Sequence, residues 1–568
     1  MRLAARLATF AIAGLVAGCA VGPDFQRPPS PNIQTYEKQK LPAKTVATSG
    51  VPGGAAQSFA RGTEVPAAWW ESFGSQPLDR LIAASFKANP DLKAEEAALR
   101  AAHEDVLAGN GALYPSVDAG ASVTREKENS IAFGGSNNIP AFTLYNAHVT
   151  VSYAADVFGL ARRTIEELRA QEDVQRFQLE AARISLAANV ATAAIAEASL
   201  RGQIAATQSI VKNEHDQLAL LQKQFTFGGI AQSAVLAQET TLAEAEATLP
   251  GLEKQLAITR HQLAALAGRF PSEGTDAKFE LASLTLPREL PVSLPSRLIE
   301  QRPDVRAAEA ALHAASAAVG VATANMFPQF PLTADLGSDA GKLGNLFASG
   351  TGIWSLIGGI TQPLFEGGRL RHERKAAVAS FDQAAAQYRK TVLAAFQNVA
   401  DTLRALQLDA ETLKADADAE QAAGGSLKLA EAQYKDGAVS YLALLSAEQA
   451  EQQARLALVQ AEAARYADTV ALFQALGGGW WNRPAASNAS TAASPASGAP
   501  ASLLHKDDAK DIKKNGADAP AKADKTDLDT APRAVPATPA PEASPPAAPI
   551  LWGDKPTNAA RDCRRIFA

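Results

Sequence analysis

The chain contains two copies of one long unit. Residues 89–122 resemble residues 302–335 at a constant offset (302 − 89 = 213). A second pair of similar segments begins at Gln224 and Gln433, with an offset of 209 (433 − 224 = 209). Because each copy is about 190 residues long, the repeat indicates duplication of a whole structural unit rather than a short-period solenoid.

Each unit reads as a helix, a β-hairpin, a very long helix, a glycine turn and a second long helix. The predicted boundaries are a first repeat over 77–285, with its β-hairpin at about 114–158 and its helical hairpin at about 159–268, and a second repeat over 286–481, with its β-hairpin at about 327–365 and its helical hairpin at about 370–477.

The long helices carry apolar residues at spacings of three and four, which is typical of coiled coils. In one helix these positions are Tyr388, Val392, Ala395, Val399, Leu403, Leu406, Ala410, Leu413 and Ala417. In another they are Leu242, Ala245, Leu249, Leu252, Leu256, Thr259, Leu263 and Leu266. The second of these helices also contains Pro250, which removes one backbone hydrogen bond and predicts a bend.

The hairpin strands alternate between apolar and polar residues, most regularly over 145–157 and least regularly over 354–365. This period of two predicts a sheet with one apolar and one polar face. A soluble sandwich gives the same pattern. A membrane barrel is favoured because only four such strands occur in a helical chain and because aromatic residues lie near their ends. The polar positions expected to face a wet lumen are Asp118, His148, Asp156, Asp335 and Asp339.

Four strands cannot close a cylinder in lipid. An open sheet edge in hydrocarbon leaves backbone groups unpaired, and the smallest ordinary membrane barrels need about eight strands. The chain is therefore expected to share one barrel with further copies of itself. Closure of the barrel alone allows two, three or four chains.

The N-terminus is typical of a bacterial lipoprotein signal. Residues 1–18 combine basic residues with an apolar run, and small residues precede Cys19. Cleavage would leave Cys19 as the N-terminus, with an N-acyl group and an S-diacylglycerol. By resemblance to bacterial lipoproteins, Ala20 gives no signal for retention in the inner membrane, so we expect the lipid to anchor the chain in the outer membrane. No other run approaches the roughly 20 apolar residues of a spanning helix. Residues 19–76 read as extended chain, and 482–568 as an Ala/Pro-rich disordered tail.

The sequence offers no pattern for an enzyme. The seven histidines are scattered without metal-ligand spacing, and no glycine loop is suited to phosphate. A net charge of −6 without a basic patch argues against nucleic acid. We therefore expect no catalytic residue, no metal and no cofactor apart from the lipid on Cys19.

Several motifs together resemble the outer-membrane efflux channels of the TolC superfamily, in the lipoprotein branch that serves resistance–nodulation–division pumps. They are VGPDF after Cys19, Trp69-Trp70, SYAADVFGLARR (152–163), EQRPDVRAAEAAL (300–312), FPQFPLTAD (327–335), QPLF with two glycines (362–368) and ALGGGW (475–480). The resemblance implies a mainly helical chain whose homotrimer forms a 12-stranded β-barrel and a 12-helix periplasmic α-barrel. It also implies that a periplasmic adaptor and an inner-membrane pump dock at the tip turns Gly228, Gly229 and Gly437.

The tip departs from the family pattern. Family members hold the closed tip partly with acidic and basic side chains just after the second turn, whereas residues 438–446 carry no charge. We hypothesise that other residues form the constriction instead, with Tyr434, Tyr441 and nearby apolar groups as the candidates.

The predicted function is a passive conduit of a tripartite efflux pump, which carries drugs or other amphiphilic solutes across the outer membrane. One alternative is the outer-membrane duct of a type I protein secretion system. Another is a lipid-anchored coiled-coil spacer without a pore. The lipoprotein signal favours the efflux channel, because secretion ducts of this family usually lack it.

Overall fold

The computed structural model describes residues 20–127 and 140–483. These residues fall within one compact unit, Met1–Asn488, and the other unit, Ala489–Ala568, lies outside the described residues. The predicted signal peptide, Cys19 and the tail beyond residue 483 also lie outside them. After a short strand, the first repeat contains two helices, two strands and two long helices: β1 (Ser58–Arg61), α1 (Gln76–Ala88), α2 (Pro90–Asn110), β2 (Ser116–Glu126), β3 (Phe142–Ala155), α3 (Leu160–Thr226) and α4 (Gln232–Leu266).

The second repeat has the same order of elements. It contains β4 (Glu289–Val292), α5 (Pro295–Gln301), α6 (Pro303–Ala324), β5 (Phe330–Ala340), β6 (Gly352–Gly358), α7 (Arg369–Lys435) and α8 (Tyr441–Ala475). The long helices α3 and α7 have 67 residues each, and their partners α4 and α8 have 35 each. At 1.5 Å per residue, the longer helices span about 100 Å. The equal lengths fit the duplication seen in the sequence.

The two hairpins form one antiparallel sheet with the strand order β2-β3-β5-β6. Residues of like character align across it: Asp118, Thr150, Asp335 and Ser355 occupy one row. The next row is apolar and contains Ala119, Val149, Leu336 and Trp354. The last strand is shorter than the sequence suggested, because β6 ends at Gly358 and only the Thr361–Gln329 bridge continues the pairing.

The coiled-coil spacing identifies the buried face of α7. The buried positions in this helix are Tyr388, Val392, Ala395, Val399, Leu403, Leu406, Ala410 and Leu413. Ala417, predicted to continue this seam, is only half-buried. On α4 the predicted seam is buried at its two ends, at Leu242, Thr259 and Leu263, and half-buried between them. Pro250 lies inside α4 as expected.

The core lies where the two repeats meet. Trp69 stacks on Phe473 of α8, with ring centroids 5.3 Å apart, and Phe73 packs 6.4 Å from the Tyr466 ring. The alanine-rich middle of α3 and the seam of α7 from Tyr388 to Leu406 belong to the same cluster. The parallel pair β1 and β4 joins the N-terminal segment to the crossing between repeats.

The sequence predicts no helix that spans a membrane, and in the described residues two helices are long and apolar enough to be compared with that prediction. Two helices, α3 and α6, each contain an 18-residue stretch with a mean hydropathy of 1.2. In α3 56% of that stretch is buried inside the protein, and in α6 44%. Such values also occur in core helices, and in α3 the buried alanines from Ala187 to Ala198 supply the core. The sequence argument overlooked them because alanine raises hydropathy without forming an obvious apolar run.

Candidate functional site

The polar face of the sheet carries an acidic row. Asp335 accepts hydrogen bonds from Thr150 Oγ1 at 2.5 Å and from Ser355 Oγ at 3.0 Å, so its carboxylate bridges β3 and β6 from the strand between them. Asp118 lies in the same row, opposite Thr150. The period of two therefore places the acidic residues on one face, as the alternation predicts.

Asp339 and His148 lie on the same face, nearer to the hairpin loops. Asn146 Nδ2 donates to Asp339 Oδ1 at 2.5 Å, and His148 Nδ1 is hydrogen-bonded to the Asn146 side-chain oxygen. His148 covers Gly120 on β2, where an added Cβ would lie 2.9 Å from the imidazole Cε1. Glycine at position 120 thus makes room for the histidine.

Asp156, the fifth predicted lumen residue, has a different position. Strand β3 ends at Ala155, and the Asp156 carboxylate accepts hydrogen bonds from the backbone N–H groups of Ala161 and Arg162. It also pairs with the Arg162 guanidinium at 3.1 Å. Asp156 thus stabilises the start of α3, because the unpaired N–H groups at a helix N-terminus favour a negatively charged acceptor.

The opposite face of the sheet is apolar and exposed on every strand. The exposed fractions are 67% for Val117, 68% for Leu336, 78% for Trp354 and 75% for Leu356. These residues alternate with the acidic row in the established register. Monomeric soluble proteins rarely expose several large apolar side chains on one face of a sheet, and such a patch marks an interaction with lipid or protein.

At the far end of the long helices, both turns have the same backbone form. Gly228 and Gly437 adopt φ values of 72° and 71°. The N–H of Gly229 donates to the Gln224 carbonyl, and that of Ala438 donates to the Gln433 carbonyl, each at 2.8 Å. These 6→1 bonds and the positive φ define a Schellman motif, which favours glycine. Gly229 itself does not have a positive φ.

The two tip tyrosines lie together beside these turns. The ring centroids of Tyr434 and Tyr441 are 6.0 Å apart. Tyr434 Oη donates to Gln224 Oε1 at 3.4 Å, and the Tyr441 hydroxyl donates to the Gln238 side-chain oxygen. Both tyrosines, on the second helical hairpin, are therefore bonded to the first.

Sequence reasoning missed the polar residues behind these tyrosines. Glu214, Gln238 and Glu448 are 2%, 0% and 7% exposed, although they are charged or amide residues. Burial, followed by repulsion from Glu214, raises the pKa of Glu448 to about 7. Burial also raises the pKa of the Tyr441 phenol. The sequence signal that could have found them is their position on the apolar face of helices with heptad-like spacing. Their partners lie on other helices and could be found only from the structure.

The first described residues, which follow Cys19, attach to the junction between the sheet and the long helices. Val21 N–H donates to the Phe158 carbonyl at 3.0 Å, and Arg163 pairs with Asp24 at 2.7 Å. Phe25 stacks on His313 at 4.3 Å. The VGPDF motif, residues 21–25, therefore lies beside the end of the sheet.

In the described residues 20–127 and 140–483, no group of three or more His, Cys, Asp or Glu side chains is arranged to hold a metal ion.

Comparisons with known proteins agree on one family. The family model described as outer membrane efflux protein matches residues 81–269 and 294–478, one segment per repeat. The pyoverdine export outer membrane protein OpmQ of Pseudomonas putida is 31% identical over 422 residues, which cover 72% of this chain and 88% of the relative. The toluene efflux pump outer membrane protein TtgF of Pseudomonas putida is 30% identical over 493 residues, 84% and 97% of the two chains.

Solved structures give the same answer. The outer-membrane channel OprN is 29% identical and superposes with a TM-score of 0.72, over 81% of this chain and all (100%) of that one. The predicted fold class, family and outer-membrane location are confirmed. The chain belongs to the outer membrane efflux protein family and is the outer-membrane channel component of a tripartite efflux pump.

Proposed function

We propose that three copies of the chain form one continuous duct. The observation that carries this proposal is the four-stranded sheet with its exposed apolar face and two edge strands, β2 and β6. Three copies supply 3 × 4 = 12 strands, enough to close a barrel with every edge paired. The long helices of the three copies, 3 × 4 = 12, continue the wall as an α-barrel through the periplasm.

The barrel interior is the polar face. Asp118, Asp335 and Asp339 from each chain line it with negative charge, which favours cations and cationic amphiphiles over anions. The duct itself is passive, and the pump supplies the energy. We propose drugs and other amphiphilic solutes as its cargo. Support comes from the relatives named for toluene efflux and pyoverdine export.

Cys19 carries the lipid anchor, an N-acyl group and an S-diacylglycerol. The position of the next residues supports this assignment. Val21 and Asp24 are held at the sheet end of the molecule, so a lipid on Cys19 lies close to the membrane that the sheet crosses.

The tip turns Gly228, Gly229 and Gly437 are the docking site for a periplasmic adaptor and, through it, for a resistance–nodulation–division pump. Tyr434 and Tyr441 close the tip in the resting channel. Their bonds to Gln224 and Gln238 support this, because opening must separate the two hairpins that these bonds join.

A planar bilayer recording of the purified protein tests the conduit directly. We expect discrete, cation-selective conductance steps, whereas a spacer without a pore gives none. A deletion strain then distinguishes the two kinds of duct. Increased drug susceptibility with normal protein secretion supports efflux. Loss of a secreted protein with unchanged susceptibility supports a type I secretion duct.

A further inference from the structure

A buried carboxylate near the tip joins three of the long helices. Glu214 lies on α3 and accepts a hydrogen bond from Gln238 Nε2 on α4 and another from Gln452 Nε2 on α8, each at 2.5 Å. Gln238 also donates to the Glu214 backbone carbonyl at 3.0 Å. One side chain thus connects the first hairpin to the second without any basic residue in the bonds.

Tyr441 extends this cluster to the tip. Its hydroxyl donates to the side-chain oxygen of Gln238, whose amide nitrogen donates to Glu214. Tyr441 is the first residue of α8, next to the glycine turn. A change at Glu214 is therefore transmitted through one glutamine to the proposed constriction.

A second carboxyl group, Glu448, packs into the same cluster from α8. Its Oε2 atom is buried and has no hydrogen-bond partner. Glu214 on α3 and Glu431 on α7 repel a negative charge on Glu448, whereas a hydrogen bond with Gln217 on α3 favours that charge. Burial and the two repulsions outweigh the bond with Gln217, so the pKa of Glu448 is raised. A charged Glu448 would be repelled by Glu214 in a site where its charge is poorly solvated.

We propose that Glu214, Gln238, Glu448, Gln452 and Tyr441 form a proton-sensitive latch that holds α8 against the first hairpin when Glu448 is protonated and releases it when Glu448 loses its proton. This inference rests on the proposed function, in which the tips close the duct.

The direction of the pH effect follows from burial. In the closed tip the pKa of Glu448 is raised from 4.5 to about 7, and in an open, wet tip it returns toward the ordinary value. Closing therefore takes up a proton. The proton's contribution to closure is complete below the ordinary pKa of Glu448 and is lost as the pH rises through about 7. For one proton, the equilibrium constant for closing changes by at most about tenfold per pH unit.

The latch can be measured without relying on conductance. Spin labels are placed at Lys223→Cys on α3 and Leu442→Cys on α8, both exposed positions, in full-length protein carrying Cys563→Ser. Labelled chains are diluted into unlabelled ones, and distances are measured from about pH 5 to about pH 8. We expect a short distance at the acidic end and a growing longer population as the pH rises.

Two variants and a matched control define the cause. Glu448→Gln copies the protonated form, so its distance stays short at every pH. Glu214→Ala removes the carboxylate that Gln238 and Gln452 share and keeps only the backbone bond from Gln238. Because α8 then loses its bond to α3, the distance is long at every pH. Glu239→Gln changes an exposed residue at the equivalent position of α4 (448 − 239 = 209) and keeps the wild-type profile.

The latch is overturned if the distance in the wild type does not change with pH. It is also overturned if the distance in Glu448→Gln still changes with pH. Bilayer conductance of the same proteins separates this outcome from failure of the proposed function. If the distances respond as expected while the conductance of Glu214→Ala equals that of the wild type, the latch stands and the tip is not the constriction of the duct.

Discussion

Arg302 donates a 3.1 Å hydrogen bond from Nη1 to the backbone carbonyl of Ala475, the last residue of α8. In the first repeat Asn89 Nδ2 donates in the same way, at 3.0 Å, to the carbonyl of Leu266, the last residue of α4. Different side chains at equivalent positions thus satisfy the C-terminus of the returning long helix in each repeat. The helix ends close against the short helices, where the long hairpins join the core.

Substituting Arg302 tests this role. Arg302→Ala leaves the buried carbonyl at the end of α8 without its donor, so we expect the folded state to lose about 1–3 kcal/mol. The measurement is the melting temperature of the helical circular dichroism signal. Arg297→Ala is the control, because its 3.0 Å pair with Glu64 is exposed and such pairs contribute at most about 1 kcal/mol. Equal melting temperatures for the two variants would refute the role of Arg302.

The tip glycine of the second repeat is a further test. Gly437→Ala forces a Cβ into φ 71°, which costs about 1–2 kcal/mol locally. We expect faster amide hydrogen exchange in residues 433–441, with little change elsewhere. Gly251→Ala, in the interior of α4 where an added Cβ meets nothing within 4 Å, should leave the tip exchange unchanged. Unaltered tip exchange in Gly437→Ala would argue against the turn assignment.

Removing the tip tyrosines should widen the proposed constriction. We expect higher single-channel conductance for Tyr441→Ala and Tyr434→Ala, because each loses a bond between the hairpins and a ring that fills the tip. The control is Tyr114→Ala, an exposed tyrosine near the start of β2, far along the chain from the tip. Wild-type conductance in both tip variants would dismiss the tyrosine constriction.

The acidic row predicts ion selectivity. Asp335→Asn removes one negative charge per chain from the polar face while keeping a group that can bond Thr150 and Ser355. The reversal potential in a salt gradient should move toward zero, which means weaker cation preference. Asp105→Asn, on the exposed surface of α2, should not move the potential. Undiminished selectivity in Asp335→Asn would place the acidic row outside the conduction path.

Features with a local cause could be predicted from the sequence. The period of two in the strands placed Asp118, His148, Asp335 and Asp339 on one face of the sheet. The spacing of apolar residues by three and four positions identified the buried seam of α7 from Tyr388 to Leu413. Gly228 and Gly437 predicted the two tip turns, because the residue after a helix end often has a positive φ, which glycine adopts readily.

Features that depend on distant partners could not be predicted in this way. Asp156 continues the alternation of β3, but the N–H groups at the start of α3 capture its carboxylate. Glu214 and Gln452 are 238 residues apart in sequence and 2.5 Å apart in space. Nothing in the spacing of either helix indicates that pairing, so the buried polar cluster became visible only once the hairpins were packed.

The central claim is that β2 of one chain and β6 of another close a shared barrel, so that the protein exists in the membrane as three copies. Native mass spectrometry of the full-length protein, extracted from outer membranes in mild detergent, measures this most directly. We expect one assembly with three times the mass of a single chain. A stable single chain, or an assembly of two or four, would contradict it.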